Sequence, residues 1–504
     1  MNTSITQSCL PALLSFLNVS SWYLVNHKIF VLLMGLAVIC IHRLYFHKLS
    51  RFPGPRVAAC TSLYYMYHMN SGVFPETCER LFKQYKSNVL RVAPNQLVFN
   101  EPSAMRQMVN LTDVWKGDFA LRVIGFAPTT VSDIKDPQAH RRKRRQLGPG
   151  FSNAALAIQE PEAVQPNVNK LIQRIKESVD GVVNLSDYFD CVTTDNVGAL
   201  AFNADFGMLD RPKDHEFLHV LPDVLRWSVV IQAVPILFKF MKLINKYGPG
   251  FMTPTPLRGV VDFSRKHLQI RVQRDAAGEK SNDIMSVILA ENEKVPDSEK
   301  MGRYELLGEA TALVAGGSDT VATALTLIFW HLGQNPSVYQ RLVRDVRRAF
   351  NTSEEIDSHK AAKISYLKAV MNEAMRVTPV LPGPMWRRAD HTIQVGEHLV
   401  PPETDMGVVR WCIFRHPKCF NEPTIFKPER WIEDQGDDLT VAQPFGVGPR
   451  MCIGRNIALM EMRLIVAKLL WTFDWVPITK QYQNKEYLVQ YRGPMLMKAT
   501  ARKV

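Results

Sequence analysis

Hydrophobic residues recur with the 3.6-residue period of an α-helix along most of the chain beyond residue 60. Short β-rich stretches interrupt this pattern, and the two clearest, Val89–Val98 and Thr392–Val400, predict strands. We therefore expect a mostly α-helical fold with small β-sheets. The stretches with the clearest helical period are Glu101–Asn110, Asn167–Val179, Met301–Gln334, Ser337–Phe350 and Arg455–Phe473.

An apolar stretch near the N-terminus has a different character. Ile29–Ile41 is an uncharged run of 13 residues, about 20 Å long as a helix, whereas the hydrocarbon core of a bilayer is about 30 Å thick. Its flanks extend it, because aromatic residues suit the membrane interface and Lys28 and Arg43 can reach outward. The sequence predicts a single membrane span rather than a signal peptide, since it has no basic start and no small-residue cleavage site. The interfacial aromatic residues are Trp22, Tyr23, Tyr45 and Phe46.

Positive charge around this run predicts its orientation. No lysine or arginine precedes Lys28, whereas several follow the run, so the positive-inside rule places everything downstream in the cytosol. We expect residues 1–51 to form a lumenal N-terminus and a single membrane anchor, and residues 52–504 to form a cytosolic domain. Asn2 and Asn18 lie in N-x-S sequons on the lumenal side, which makes them candidates for glycosylation. Two prolines around a glycine in Phe52–Arg56 predict a stiff hinge between anchor and body.

Composition narrows the class of protein. With 504 residues, 46% of them hydrophobic and 22% charged, the chain is typical of a large globular protein and not of a disordered or collagen-like one. No Gly/Ser-rich linker or internal repeat divides it after residue 60, which indicates one large domain. Its eight cysteines are unevenly spaced and include no CxxC pair, which argues against a disulfide scaffold or a zinc site. A net charge of +13 favours an anionic partner: nucleic acid, a membrane surface or an acidic protein face.

The segment Phe445–Gly454 carries the most informative chemistry. Cys452 lies just before a predicted helix, whose dipole and free N–H groups favour the thiolate form. Gly446 and a second glycine permit positive φ angles that aim amides at the sulfur, and Gly454 allows a flat ligand to come close. Arg450 adds a cation. Such a thiolate fits a haem iron, because it donates electron density that favours O–O cleavage.

The spacing Phe-x-x-Gly-x-Arg-x-Cys-x-Gly in this segment resembles the haem-binding signature of the cytochrome P-450 superfamily, the haem-thiolate monooxygenases. The resemblance covers the chain from about residue 52 onward, and Arg91–Asn95 is similar to filamentous-fungal members. It implies the cytochrome P-450 fold, with one large haem domain and haem b ligated by Cys452. The neighbouring cofactor contacts that it implies are Phe445, Gly446, Arg450 and Gly454.

Two further segments imply a buried charge cluster. Glu373 and Arg376 lie three residues apart on one face of a predicted helix, a spacing that alone is typical of a weak surface ion pair. Its position upstream of the cysteine resembles the family's Glu-x-x-Arg helix. The Pro-Glu-Arg-Trp segment Pro428–Trp431 resembles the one whose arginine completes a buried Glu-Arg-Arg cluster. The resemblance therefore implies a structural role for Glu373, Arg376 and Arg430.

The long helix predicted over Met301–Gln334 has an unusual middle. Ala315–Thr320 places two glycines, each costing about 1 kcal/mol relative to alanine, and an acid inside an otherwise apolar helix. Glycines thin a helix beside a flat cofactor, and a hydroxyl next to a carboxylate can relay protons to dioxygen. The run resembles the family's oxygen-activation motif, with Asp319 and Thr320 as its acid and threonine. Val321 departs from the pattern, because a second threonine or serine is frequent there.

The basic run His140–Arg145 permits two interpretations. In isolation it is typical of a nuclear signal or a nucleic-acid patch. On a helix, His140 and Arg144 share one face while the other cations turn toward solvent, and this spacing resembles the family's haem-propionate helix. Arg387 matches another propionate arginine of the family. The resemblance thus implies that His140, Arg144, Arg387 and Arg450 hold the haem carboxylates and that no nucleic acid is bound.

The resemblance also implies an activity and its partners. We expect a monooxygenase that activates dioxygen and hydroxylates a lipophilic small molecule, such as a terpenoid or polyketide intermediate of fungal secondary metabolism. The sequence has no GxGxxG nucleotide fingerprint, so NADPH is expected to supply electrons through a separate reductase, with cytochrome b5 as a second donor. Basic surface residues suit docking of such acidic partners. Microsomal members of the family lie in the endoplasmic reticulum membrane, where we expect this chain.

Two other functions stay open from the sequence alone. A haem-thiolate isomerase or dehydratase needs no external electrons, but the intact Asp319–Thr320 pair argues against it. A non-catalytic membrane haem sensor or nucleic-acid-binding protein is supported only by the basic run. No motif specifies the substrate, and an apolar pocket is expected. The family's usual lining segments correspond here to Phe119–Phe126, Val224–Phe240, Leu313–Gly316, Val380–Met385 and Gly493–Met497.

Overall fold

A computed structural model describes residues 27–502, apart from 112–113, 117–129, 133, 179–180, 212–254, 483–484 and 488. The helices of this part of the chain are α1 (His27–Phe46), α2 (Arg56–Cys60), α3 (Leu63–Asn70), α4 (Phe74–Tyr85), α5 (Pro102–Asn110), α6 (Pro137–Leu147), α7 (Asn153–Gln159), α8 (Gln165–Lys176), α9 (Leu185–Phe202), α10 (Thr255–Ala276), α11 (Ile284–Glu293), α12 (Arg303–Gln334), α13 (Pro336–Ala349), α14 (Ser358–Ala361), α15 (Ser365–Val377), α16 (Arg410–Ile413) and α17 (Arg455–Thr472). The strands are β1 (Val89–Ala93), β2 (Gln96–Phe99), β3 (Val182–Asn184), β4 (Pro384–Arg387), β5 (Ile393–Val395), β6 (His398–Val400), β7 (Asp405–Val409), β8 (Phe473–Pro477), β9 (Lys485–Tyr487), β10 (Val489–Tyr491) and β11 (Leu496–Ala501).

The prediction of a mostly helical fold with small sheets is confirmed, and the predicted helices end within a few residues of the observed ones. Each predicted strand instead forms a hairpin. The β1–β2 pair turns after Ala93, where Pro94 has no N–H to continue a ladder. The β5–β6 pair turns at Gly396, which has a positive φ of 58°. The residues near position 179, where one predicted helix ended, lie outside the described residues.

A four-stranded sheet has the order β1-β2-β7-β4. Strands β2 and β7 are parallel, and the outer pairs are antiparallel. Strands β4 and β7 are antiparallel, so Pro384 lies opposite Val409 and Arg387 lies opposite Met406. Arg387 ends β4 and Arg410 begins α16 directly after β7, and both side chains line the same cavity although they are far apart along the chain.

Helix α12 lies in the main hydrophobic core and contacts α9, α10, α15 and α17. Residues 321–329 are all buried, as expected for a helix covered on every side. Its mean hydropathy of 1.5 would suit a membrane span, but 61% of its apolar window is buried inside the protein. Asn335 separates α12 from α13, and Pro336 is the first residue of α13, a position that proline favours because it needs no N–H there.

Helix α1 lies outside this core. Its 20 residues, with a mean hydropathy of 2.2, span about 30 Å, and none of its apolar window is buried. The segment Phe52–Arg56, predicted as a stiff hinge, is packed against the body: Leu49 just before it is fully buried, and the amide of Arg91 donates to the carbonyl of Pro53 at 2.7 Å. The Arg91 guanidinium also donates to the carbonyl of Arg43 at 2.7 Å, which fixes the end of α1 to β1. Asn2, Asn18, Trp22 and Tyr23 lie outside the described residues.

Candidate active site

A cavity of about 440 Å³ is lined by residues of α6, α12, β4 and the loop before α17, and by the first residue of α16. Most of its lining residues are apolar, but several cations reach it. Cys452 and Thr320 both line it, so the structure brings the predicted iron ligand and the predicted oxygen-side threonine to one space.

The loop that carries Cys452 has the conformation expected from its glycines. Gly446 and Gly448 have φ angles of 69° and 76°, a region that residues with a Cβ seldom adopt. The amide of Cys452 donates to the carbonyl of Phe445 at 2.9 Å, which closes the loop. The protein groups around Cys452 do not by themselves lower the pKa of its thiol, as the predicted preference for thiolate would require. Burial raises the pKa of the Cys452 thiol, and this outweighs the Gly454 amide and the nearby cations, which lower it.

Helix α6 joins this loop to the cavity. The side chain of Asp136 caps the helix by accepting from the amide of Ala139 at 2.5 Å. Arg144 donates to the carbonyl of Met451 at 2.8 Å, and Arg450 donates to two carbonyls just before α6 at 2.7 and 3.2 Å. His140 lines the same cavity; burial, with Arg450 next, lowers its pKa to about 4, so it is neutral at pH 7.

Arg387 and Arg410 reach the cavity from β4 and α16. Burial lowers the pKa of both to about 10, and neighbouring arginines act in the same direction on Arg387. Each donates to a backbone carbonyl, Arg387 to Trp386 at 2.8 Å and Arg410 to Leu381 at 3.2 Å. Among the described residues, neither forms an ion pair with a carboxylate. Buried cations without a carboxylate partner favour an anionic ligand in the cavity.

One part of the basic-run prediction is wrong. Lys143 was expected to face solvent, but its side chain is 3% exposed. Its ammonium lies 3.1 Å from Glu309 and 3.4 Å from Glu305 on α12. Lys143 follows His140 by three residues, so the helical spacing that placed His140 and Arg144 on one face also applies to it and could have found it.

Thr320 and Asp319, the two predicted functional residues in the middle of α12, have different surroundings. Thr320 lines the cavity and donates to the carbonyl of Gly316 at 2.8 Å, whereas Asp319 is bound by Arg492, whose Nη2 lies 2.5 Å from its Oδ1. Gly316 also faces the cavity, and a Cβ there would meet nothing within 4 Å. A Cβ on Gly317 would lie 2.7 Å from Cγ2 of Val197 on α9. Gly317 therefore serves helix packing as well as thinning the helix.

A model of the family "Cytochrome P450" matches residues 121–498. The chain belongs to the cytochrome P-450 family. It is 31% identical to the cytochrome P-450 monooxygenase cpaH of Aspergillus oryzae, over 93% of both chains. It is 32% identical to averantin hydroxylase of Dothistroma septosporum, over 88% of this chain and 83% of that one. The monooxygenase astA of Talaromyces wortmannii is 30% identical, over 92% of this chain and 96% of its own.

Membership makes the chain a haem-thiolate monooxygenase that uses dioxygen and electrons from NADPH delivered by a reductase. The cavity of this cytochrome P-450 fits haem. Haem carries two carboxylates, and the cavity presents buried or half-buried arginines that have no carboxylate partner among the described residues. Of its two lining carboxylates, Glu309 is already bound to Lys143. The lining cations are Lys116, Arg144, Arg387, Arg410 and Arg450.

The structure also brings together Glu373, Arg376 and Arg430, whose side chains are fully buried. Glu373 accepts from Arg376 at 2.8 Å through both oxygens and from Nε of Arg430 at 2.9 Å. Burial raises the pKa of Glu373, but the Arg376 hydrogen bonds and charge outweigh it and the pKa is lowered. Trp431 donates to the same carboxylate at 2.8 Å, and Asp437 binds the far side of Arg430. The three residues therefore form a buried ion-pair cluster that joins α15 to the Pro428–Trp431 segment, and not a surface ion pair.

The predicted lining segments have mixed outcomes. Leu313 and Gly316 line the cavity, as do Val380, Leu381 and Met385. In the segment Gly493–Met497, Met495 and Met497 are instead buried in the main core. The segments Phe119–Phe126 and Val224–Phe240 lie outside the described residues.

Sequence reasoning missed Lys116, Arg410 and Arg492. No motif marks Lys116 or Arg492. Arg410 has one usable signal, because it directly follows the apolar strand β7 and so ends a buried run with a cation.

Proposed function

We propose that this cytochrome P-450 oxidises, by hydroxylation, a lipophilic small molecule of fungal secondary metabolism, such as a terpenoid or polyketide intermediate. The mostly apolar cavity wall supports a lipophilic substrate. A relative named averantin hydroxylase supports hydroxylation as the reaction.

The observation that carries the proposal is one cavity lined by both Cys452 and Thr320. Haem, when bound, supplies the iron at which dioxygen is activated, and Cys452 is the side chain that would ligate it. Phe445, Gly446 and Gly454 would shape the backbone around the sulfur. Thr320 would hold and pass a proton at its Oγ1, and the adjacent Asp319 carboxylate would assist this transfer.

The cavity cations would fix the cofactor. Arg144, Arg387 and Arg450 would bind the haem carboxylates by charge-assisted hydrogen bonds, and neutral His140 would donate one more. Arg410 adds a cation that sequence reasoning did not include. Glu373, Arg376 and Arg430 would hold the loops around the cysteine in place without taking part in chemistry.

The electron donor is proposed to dock where α6 meets the cysteine loop. Arg144 ties these two elements together, and Arg141 and Arg145 of α6 are exposed beside it. We expect an acidic flavoprotein reductase at this face, with cytochrome b5 as a second donor. Reversing both charges, as Arg141→Glu with Arg145→Glu, should slow reduction by the reductase but not by dithionite. A matched reversal at exposed Lys280 should leave both rates unchanged.

The chain is proposed to lie in the endoplasmic reticulum membrane, anchored by α1 with the body in the cytosol. The length, hydropathy and exposure of α1 support this placement. Residues 1–51 would hold the anchor and residues 52–504 the catalytic domain. Asn2 and Asn18 would then be accessible to lumenal glycosylation.

The deciding experiment measures both the ligand and the reaction. Haem-loaded protein, reduced under carbon monoxide, should show the red-shifted Soret band of thiolate ligation, and Cys452→Ser should abolish it. Cys419→Ser, at a cysteine that does not line the cavity, is the matched control. With reductase, NADPH and dioxygen, lipophilic candidates should be oxidised. Turnover without NADPH and dioxygen would instead favour an isomerase or dehydratase.

A further inference from the structure

Arg492, which follows β10, lies behind the oxygen side of α12. Its side chain is 8% exposed. Nη2 donates to Oδ1 of Asp319 at 2.5 Å, and Nη1 donates to the backbone carbonyl of Asp319 at 2.9 Å. One guanidinium therefore holds both the side chain and the backbone of the residue next to Thr320.

The same nitrogen of Arg492 is shared with a second carboxylate. Nη2 also donates to Oδ1 of Asp190 on α9 at 2.5 Å. Asp190 is 30% exposed, whereas Asp319 is 13% exposed. The three side chains thus form a bridge that runs from partly solvated Asp190 through Arg492 to Asp319.

Two carboxylates compete for one cation, so the charge of each changes the hold on the other. Partial burial of its carboxyl group raises the pKa of Asp190 to about 7; Arg492 opposes this shift, and Asp319 adds to it. Below that pH, neutral Asp190 leaves Arg492 to Asp319 alone. Above it, ionised Asp190 shares the guanidinium and weakens its hold on Asp319.

Other groups surround this bridge. The hydroxyl of Tyr482 is buried, has no hydrogen-bond partner among the described residues and lies near all three side chains. Burial raises the pKa of Tyr482, and the two nearby carboxylates raise it further, whereas Arg492 lowers it. The remaining ionisable neighbours, on α9 and β10, are Asp187, Cys191 and Tyr491.

Resting on the proposed function, we infer that Arg492 is a positioning residue for proton delivery, and that the bridge Asp190–Arg492–Asp319 is its productive arrangement. Arginine does not give up a proton, so it acts by orienting Asp319 and not by relaying. With Asp190 ionised, Arg492 orients Asp319 but is shared with Asp190, so the Asp319 side chain is held less tightly beside Thr320. With Asp190 neutral, Arg492 holds Asp319 as a fully paired carboxylate.

The test needs no substrate, because dioxygen alone is the probe. Without substrate, the reductase-coupled holoenzyme divides electrons between two reactions: one NADPH with one H⁺ reduces O₂ to H₂O₂, and two NADPH with two H⁺ reduce it to two H₂O. Water formation needs more protons at the site, so impaired delivery raises the H₂O₂ released per NADPH consumed. Arg492→Gln should raise this ratio about threefold, a small part of what general acid catalysis contributes.

Asp190→Asn supplies the pH test. In the wild type, H₂O₂ per NADPH should fall as pH rises through about 7 and Asp190 ionises. Asp190→Asn should keep the low-pH ratio throughout this range. Arg492→Lys should restore part of the wild-type ratio, since an ammonium holds a carboxylate but lacks the planar fork that bridges two.

Arg347→Gln and Asp474→Asn are matched controls, because this pair also joins a helix to the C-terminal sheet, at 2.8 Å. They should leave the ratio and its pH profile unchanged. If Arg492→Gln fails to bind haem, the pH profile of Asp190→Asn serves as the test by itself. This substitution removes a charge from a partly exposed residue and should leave the fold intact. The inference would be overturned if the wild type shows the thiolate spectrum but Arg492→Gln and Asp190→Asn release the same H₂O₂ per NADPH as the wild type, with the same dependence on pH. Loss of that spectrum in the wild type would overturn the proposed function and this inference with it.

Discussion

The arginines of the cavity differ in what holds them. Arg144 and Arg450 donate to carbonyls of neighbouring loops and so connect elements. Arg387 is buried and Arg410 is half-buried, and among the described residues the hydrogen bonds of both go to backbone carbonyls. A buried charge without a counter-ion destabilises the fold, so a dianionic cofactor at these residues stabilises the folded state as it binds.

The buried cluster at Glu373 predicts a large loss of stability on removal of one cation. Arg430→Ala should lower the free energy of unfolding by about 3–5 kcal/mol, because it leaves the charges of Glu373 and Asp437 buried with one partner fewer. Urea unfolding of the haem-loaded protein measures this loss. Lys294→Ala, which breaks a surface pair with Glu291, should cost at most about 1 kcal/mol. Equal losses in the two variants would contradict the interior role.

Glu486 predicts how stability depends on pH. It is 3% exposed, its Oε2 has no hydrogen-bond partner, and burial raises its pKa to about 8. Between about pH 5 and 8 the folded state keeps this proton and the unfolded state loses it, so stability falls by up to about 1.4 kcal/mol per pH unit. Glu486→Gln should remove this contribution from the slope of unfolding free energy against pH.

The control for that slope is Glu433→Gln, at an exposed position. It should keep the wild-type dependence on pH. A Glu486→Gln protein with the wild-type slope would show that the Glu486 carboxyl is already ionised in the folded state.

At the scale of elements, α9 packs closely against α12 where α12 lines the cavity. Thr193 of α9 donates to the carbonyl of Ser318 at 3.0 Å, and Gly317 leaves room for Val197. Gly316 and Gly317 of α12 both line the cavity, but only Gly317 also packs closely against a side chain of α9.

This arrangement predicts opposite outcomes for two alanine substitutions. Gly317→Ala should destabilise the protein by about 1–3 kcal/mol, because the new methyl would overlap Val197. Gly316→Ala meets no protein atom and should stabilise the helix by up to about 1 kcal/mol, while altering ligand binding in the cavity. Thermal unfolding checks both. Adding Val197→Ala should relieve most of the Gly317→Ala loss; a loss that persists would place the strain elsewhere.

The same element shows what the sequence can predict. Helix period and the stop at Pro336 located α12 closely, and the motif spacing named Asp319 and Thr320. The spacing cannot show that Arg492, 173 residues later, binds Asp319, because that contact depends on how the last strands pass α12. Local signals thus predict elements and motif residues, whereas contacts between distant segments need the fold.

At the scale of the whole molecule, helix α1, the proposed membrane anchor, is bound to the rest of the chain near its C-terminal end. The apolar part of α1 is exposed, yet its end is bound to β1 through the carbonyl of Arg43, and Leu49 is part of the core. The proposed anchor, α1, therefore joins packed structure that begins before residue 52. Removal of the exposed part of α1 should change membrane binding, whereas further removal of the buried segment around Leu49 should also lower stability.

A chain that starts at His42 should keep the Arg91 contact and all of the core, so we expect a folded haem protein that no longer sediments with membranes. A chain that starts at Pro53 also loses Leu49 and Phe52, which are 0% and 8% exposed. Burial of two such side chains contributes about 3–6 kcal/mol, so this shorter chain should unfold at a clearly lower temperature. Carbonate fractionation and thermal unfolding separate the two effects. Membrane sedimentation of the first chain would reveal a second membrane contact on the body, and equal stability of the two would show that the Leu49 segment contributes nothing to the core.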